Sequence, residues 1–186
     1  MSLLLLLSTD SGEAFKYYSH LEISNKERKR IQAEVFKEAR AQVAASLSEL
    51  EHVVTVAYAP HWHEGVIGIV ASKLVEDFNA PAIVFTDSEH KGLIKASARS
   101  CGQLNIFDCL KRCERLYSKF GGHKAAAGLT MPRENMDTFK REMKQFVAER
   151  PPAERIDAFS FDLHLESGDI SPSLCKALEA IGPFGE

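Results

Sequence analysis

The feature that most constrains the fold is the alternation, between Val53 and Ala148, of short apolar runs with longer stretches of helical period. Val53–Tyr58, Ala82–Thr86 and Gly92–Ala98 read as strands, and Glu64–Phe78, apolar nearly all round until its charges begin at Lys73, reads as a helix between the first two. Ile106–Lys119 reads as a second helix and Gly128–Met131 as a short strand. Glu134–Ala148 closes the unit as an amphipathic helix with Met136, Phe139, Met143 and Phe146 on its apolar side. This order predicts an α/β sandwich in which helices flank a mixed sheet. With 186 residues, 45% of them hydrophobic, the chain can bury one good core and a small second unit.

The flanks read differently. Gly12–Ser46 has a helical pattern uninterrupted by proline, with Ile31, Val35, Ala39 and Val43 at four-residue spacing. Its basic knot, Lys26, Arg28, Lys29 and Arg30, has a solvated helix face as its default reading. The opening run Leu3–Leu7 is too short for a signal or a membrane span, lacks a basic flank, and reads as a buried strand before a helix cap. After Ala148, Arg150-Pro151-Pro152-Ala153-Glu154-Arg155 breaks the helix and reads as a linker. Phe159–Leu165 then alternates as a strand, with Asp162 and His164 exposed on one face, and Ser171 caps a helix through Leu178. Some thirty residues of this kind are too few for a core of their own.

A net charge of −3 excludes a generally basic coat, so any contact with a polyanion is local. Cys101, Cys109, Cys113 and Cys175 lack paired metal-ligand spacing and read as packed thiols of a reducing, cytoplasmic setting. His61 and His63 alternate like a metal pair but have no third ligand nearby in sequence. Trp62 reads as a core or interface residue, and Gly65, Gly68 and Ser72 as a small-residue stripe for close helix packing.

Two stretches carry chemistry. In Phe120-Gly121-Gly122-His123-Lys124-Ala125-Ala126-Ala127-Gly128, a glycine-paired turn presents a histidine, and the alanines that follow could begin a helix whose N-terminus favours anions. The same residues serve equally well as a packing turn with a surface histidine. In Lys95-Ala96-Ser97-Ala98-Arg99-Ser100, Ser97 and Arg99 share one strand face, where a hydroxyl and a guanidinium fork suit phosphodiester oxygens, although an edge arginine in solvent fits the pattern too.

Taken with Trp62-His63-Glu64-Gly65-Val66-Ile67-Gly68-Ile69-Val70-Ala71, these stretches closely resemble, in content and order, the DHH-associated domain of the RecJ family of single-strand-specific DNA exonucleases. The likeness runs over residues 3–186 and is densest between 60 and 130. The Gly-Gly-His element by itself is shared by the wider DHH phosphoesterase superfamily, which includes oligoribonucleases and cyclic-dinucleotide phosphodiesterases. The resemblance implies the end of a catalytic-domain strand and a long connecting helix at 3–46. It further implies a DHH-associated substrate-binding domain at 47–149, a linker at 150–155 and the incomplete start of an OB-like nucleic-acid-binding domain at 156–186.

It also implies a parent enzyme that degrades single-stranded DNA from 5′ to 3′ in DNA repair and recombination. That enzyme would use Mg²⁺ or Mn²⁺ held by an N-terminal DHH catalytic domain. The chain has no Asp-His-His motif, so the resemblance implies a substrate-positioning part, free of metal and inactive alone. Residue by residue it implies a catalytic His123, phosphate contacts at Ser97, Arg99, Ser100, Gly121 and Gly122, and a further backbone contact at Arg28, from the Asn-x-Glu-Arg likeness of Asn25-Lys26-Glu27-Arg28. A phosphodiesterase acting on short oligonucleotides or cyclic dinucleotides, and a non-catalytic nucleic-acid-binding module, remain open alternatives.

Overall fold

The computed structural model describes residues 2–46, 53–151 and 164–182. Five strands form one mixed sheet: β1 (Thr55–Tyr58), β2 (Ala82–Asp87), β3 (Leu93–Arg99), β4 (Lys119–His123) and β5 (Ala126–Pro132), in the order β1-β2-β3-β5-β4. β1 runs parallel to β2, and every other pairing is antiparallel. The parallel pair needs a crossover, which is helix α3 (Glu64–Phe78), bounded as its sequence predicts. His63 caps its start by accepting the Gly65 N–H at Nδ1, 3.0 Å away, and Asn79 ends it in the left-handed conformation that asparagine tolerates.

The two faces of the sheet are treated differently. Helices α4 (Ile106–Lys111) and α5 (Met136–Ala148) cover one face, burying Ile83, Phe85, Ile94, Leu129 and Met131. Phe85 meets Phe139 edge-on at 5.2 Å. On α5 the buried residues are Met136, Phe139, Met143 and Val147; Phe146 is only partly buried, beneath the Arg112 guanidinium. The second face carries α3, and against it the long helix α2 (Ser11–Ser46), through Val35, Ala39, Val43, Trp62, Val66, Val70 and Val84. Arg40 pairs with Asp77 at 2.6 Å, and the Gln42 amide bonds both backbone groups of Tyr58, continuing the ladder past β1.

Three expectations need correction. The leucine run is a short helix, α1 (Ser2–Leu7), with Leu3, Leu4, Leu6 and Leu7 exposed, because a five-residue apolar run has no period that separates helix from strand. The helix expected to reach Lys119 stops at Lys111 and gives way to a 3-10 turn at Glu114–Leu116; Ser118 N–H then bonds the Thr130 carbonyl and draws the chain into the sheet. Gly121, Gly122 and His123 are not a turn before a helix but strand β4 itself. The turn is Lys124-Ala125, and the alanines continue as β5. Helix α6 (Pro172–Ile181) is capped by the Ser171 hydroxyl, which accepts the Leu174 N–H. Of the strand expected at Phe159–Leu165 only His164 and Leu165 are described, in no regular element. Asp162, linker positions 152–155 and the Pro-Phe-Gly run at 183–185 lie outside the described residues.

Candidate phosphate-binding cleft

Residues directly opposite one another across antiparallel strands share a face, so the register defines the site. One row reads Arg99, Ala126, His123; the next Ser97, Gly128, Gly121; the third Lys95, Thr130, Lys119. All nine lie on the face that α3 covers over β1 and β2 but leaves open over β5 and β4. The opening is a cleft of about 610 Å³, walled by the first turns of α3 and floored by Ser97, Arg99, Gly121, Gly128 and Thr130. The serine-arginine strand end and the glycine-histidine strand thus meet on one surface, two strands apart, which strand spacing makes roughly 10 Å.

Arg99 is half-buried and donates from Nη1 to the Ser97 hydroxyl at 2.8 Å and to the Ala98 carbonyl at 2.9 Å. Among the described residues it has no carboxylate partner. Burial pushes its pKa below the ordinary arginine value, so its charge is held where water solvates it incompletely and no carboxylate among the described residues neutralises it. Gly68 of α3 sits directly over this pair: a Cβ there would stand 2.9 Å from Arg99 Nη2 and 3.2 Å from Ser97 Oγ. The small-residue stripe expected for packing therefore also makes room for the guanidinium.

The two glycines of β4 do different work. Gly121 faces the cleft with nothing within 4 Å of where a Cβ would be, so its missing side chain keeps the floor clear. Gly122 turns away from the cleft with φ of 153°, and a Cβ there would meet the Ala126 carbonyl oxygen and the Ala127 Cα at 2.5 Å. It is required by the backbone. His123, exposed at the end of β4, accepts the Ala125 N–H at Nδ1 at 3.3 Å, which leaves the proton of the neutral ring on Nε2, able to donate.

Ser100 does not join the cleft. Its hydroxyl donates to the Leu104 carbonyl, and its N–H donates to the Ala125 carbonyl at 2.9 Å. With Ile106 N–H on the Lys124 carbonyl, it splints the tip of the β4–β5 hairpin and so ties the two motifs together. Arg28 lies apart from Arg99, in a second cavity with His63 and Val66, bonding the neutral amides of Gln32 and Asn25 at 3.0 and 2.7 Å. Gly65 lines both cavities, so the tip of α3 stands between the two arginines. Of the rest of the basic knot, Arg30 pairs with Glu27 and Glu34, and Lys26 with Glu22.

Sequence reasoning missed Lys95, Lys119, Thr130 and Gly128. The alternation that put Ser97 with Arg99 would have added Lys95, and reading 119–123 as a strand would have put Lys119, Gly121 and His123 together. His61 bonds Glu38, which also accepts Trp62 Nε1–H at 2.8 Å, so neither His61 nor His63 faces a metal-like set. No cluster of three or more His, Cys, Asp or Glu suited to a metal occurs among the described residues. The cleft itself presents guanidinium, ammonium and hydroxyl groups, and Glu64, its one carboxylate among the described residues, is paired with Lys95, a donor set that does not fit a divalent cation. Cys109 and Cys113 are buried; burial pushes the Cys113 thiol up to about 12 and keeps it protonated. No described helix is long and apolar enough to cross a membrane.

Known proteins of similar sequence and fold identify the family. Residues 51–149 match the DHHA1 domain model. The chain is 34% identical over 183 residues to the single-stranded-DNA-specific exonuclease RecJ of Bacillus subtilis, covering 97% of this chain and 23% of that protein. It is 32% identical to the Escherichia coli RecJ, covering 98% and 33%. A crystal structure of Thermus thermophilus RecJ in complex with Mg²⁺ superposes with a TM-score of 0.77 at 27% identity, over 98% of this chain and 28% of that one. The chain therefore spans about a quarter to a third of the length of these relatives.

Proposed function

We propose, from the fact that this chain belongs to the DHHA1 domain family, that its cleft holds the phosphodiester backbone of single-stranded DNA for hydrolysis by a RecJ-like exonuclease. The observation that carries the reading is Arg99: a half-buried guanidinium with no carboxylate partner among the described residues, braced on Ser97 and open to the cleft. An anion bound there would supply the missing counter-charge, and a fork of N–H donors beside a hydroxyl matches two oxygens of one phosphate.

His123, in the same row, would donate its Nε2 proton to a neighbouring phosphate oxygen. Gly121 and Gly128 would let the sugar-phosphate chain lie close to the sheet. Gly122 and Ser100 would act through the hairpin, by fixing its backbone, and Arg28 would meet the strand on the other side of the α3 tip. The reacting water and the divalent cation would come from a DHH catalytic domain in the same polypeptide, since the described lining of this cleft offers a metal only the Glu64 carboxylate, already paired with Lys95. Residues 3–46 would connect that domain to the sheet, 47–149 form the DNA-binding unit, and 150–155 lead to an OB-like segment at 156–186. On this reading the chain alone binds DNA without cutting it, and its parent serves DNA repair and recombination in the cytoplasm.

The test is binding of a fluorescein-labelled deoxythymidylate 12-mer to the chain, followed by anisotropy. Arg99→Ala should weaken binding roughly 10- to 100-fold, the cost of losing one charged hydrogen-bonding group. Arg99→Lys should recover only part of it, because an ammonium cannot form the fork. EDTA should change nothing. Binding indifferent to Arg99→Ala, or abolished by EDTA, would refute the proposal.

A further inference from the structure

We infer that Lys119 and Thr130 form a second phosphate subsite in the same cleft, which makes the site a reader of strand length and not only of a single phosphate. The inference rests on the phosphate reading of Arg99 and extends it along the sheet. Ser97 and Arg99 supply a hydroxyl and a cation at one end. The third register row, Lys95, Thr130 and Lys119, repeats that combination at the other end. Two residues separate that row from Ser97 and four from Arg99, so the two cations are offset on the order of 13 Å along the strands. Between them lie Gly121 and Gly128, neither of which would clash with an added Cβ. A floor left bare where the fold would tolerate a side chain suits a ligand lying along it.

The charges single out Lys119. Lys95 is neutralised by Glu64, whose carboxylate is 2.5 Å from its Nζ. Lys119 is exposed, lines the cleft and makes no ion pair among the described residues. Thr130 is only 8% exposed and lines the cleft, and its hydroxyl bonds no described group; the N–H and hydroxyl of Ser118 bond its carbonyl instead. A hydroxyl on a nearly buried residue and an ammonium, neither with a partner among the described residues, are a matched pair of donors for one phosphate. A second phosphate of the same strand fits this spacing, whereas a ligand with one phosphodiester reaches only the Arg99 end.

The experiment compares two probes on the chain and its variants: thymidylyl-thymidine, with one phosphodiester, titrated by NMR against the Gly121 and Gly128 amides, and the labelled deoxythymidylate 12-mer. Lys119→Ala should weaken the 12-mer about fivefold, lower the slope of log affinity against log salt by about 0.7, and leave thymidylyl-thymidine unchanged. Lys119→Arg should restore both values, and Thr130→Val should weaken the 12-mer alone. If Lys119→Ala leaves the 12-mer unaffected while Arg99→Ala weakens both probes, the second subsite is wrong and the first stands. Equal loss on both probes would also overturn it, by placing Lys119 at the first phosphate. If neither variant changes either probe, the phosphate reading of the whole cleft falls with it.

Discussion

One face of this sheet is built in two ways. Over β1, β2 and the adjoining side of β3, helices α3 and α2 seal it with Trp62, Val66, Val70 and Val84. Over β5 and β4 the same face is bare, its rows filled by glycine, alanine, hydroxyls and cations. The opposite face of those bare strands is well packed, with Ala127, Leu129 and Met131 buried against α4 and α5. The bare half is therefore not a weak part of the fold. The comparison teaches that stability and binding are assigned to different faces of the same strands, so single substitutions can separate them.

The largest separation is expected between neighbours. Gly122→Ala puts a methyl into the Ala126 and Ala127 backbone at a glycine-only dihedral and should cost about 2–4 kcal/mol of stability, whereas Gly121→Ala should leave thermal unfolding within a degree or two. Equal melting shifts would break the distinction. Trp62→Ala, in the sealed half, should cost about 3–5 kcal/mol while leaving the Arg99 side of the cleft formed. Chemical denaturation measures it, and a loss below about 1 kcal/mol would mean that the seal is not a core. Gly121→Leu should do the reverse, filling the floor and weakening 12-mer binding roughly tenfold at unchanged stability. A variant that binds normally would show that nothing lies on that floor.

The smallest effect is pH dependence in the sealed half. The hydrogen bond from Trp62, aided by His61, holds the Glu38 carboxyl below its usual range. A depressed folded-state pKa contributes stability above the unfolded value and loses it as pH falls through the folded one. Stability should therefore decline below about pH 4.5, and Glu38→Gln should flatten part of that acid limb. An acid limb unchanged in Glu38→Gln would remove this carboxylate from the account.

Much of this is legible in the sequence. Helix α3 has the predicted ends because His63 and Asn79 bracket an unbroken apolar segment, and the core strands are apolar runs of the right length. Alternation alone puts Ser97 and Arg99 on one face. The hairpin was not legible, for a physical reason: its glycines sit in the strand, while its turn is Lys124-Ala125, a pair with no turn chemistry. That turn is held from outside by Ser100 and Ile106. Long-range hydrogen bonds of this kind leave no trace in a local pattern. The leucine run failed for a simpler cause, since its helix buries nothing that would give it a period.

Gly68 carries one more consequence. The guanidinium of Arg99 comes within 2.9 Å of where the first side-chain atom of any larger residue at this position of the crossover helix would lie, so the depth to which it sits is limited from above by a missing methyl group. Alanine at that position would act as a wedge, tilting the arginine toward solvent without touching the strands that bear it. Grip on the ligand could then be tuned from a helix that need never contact it.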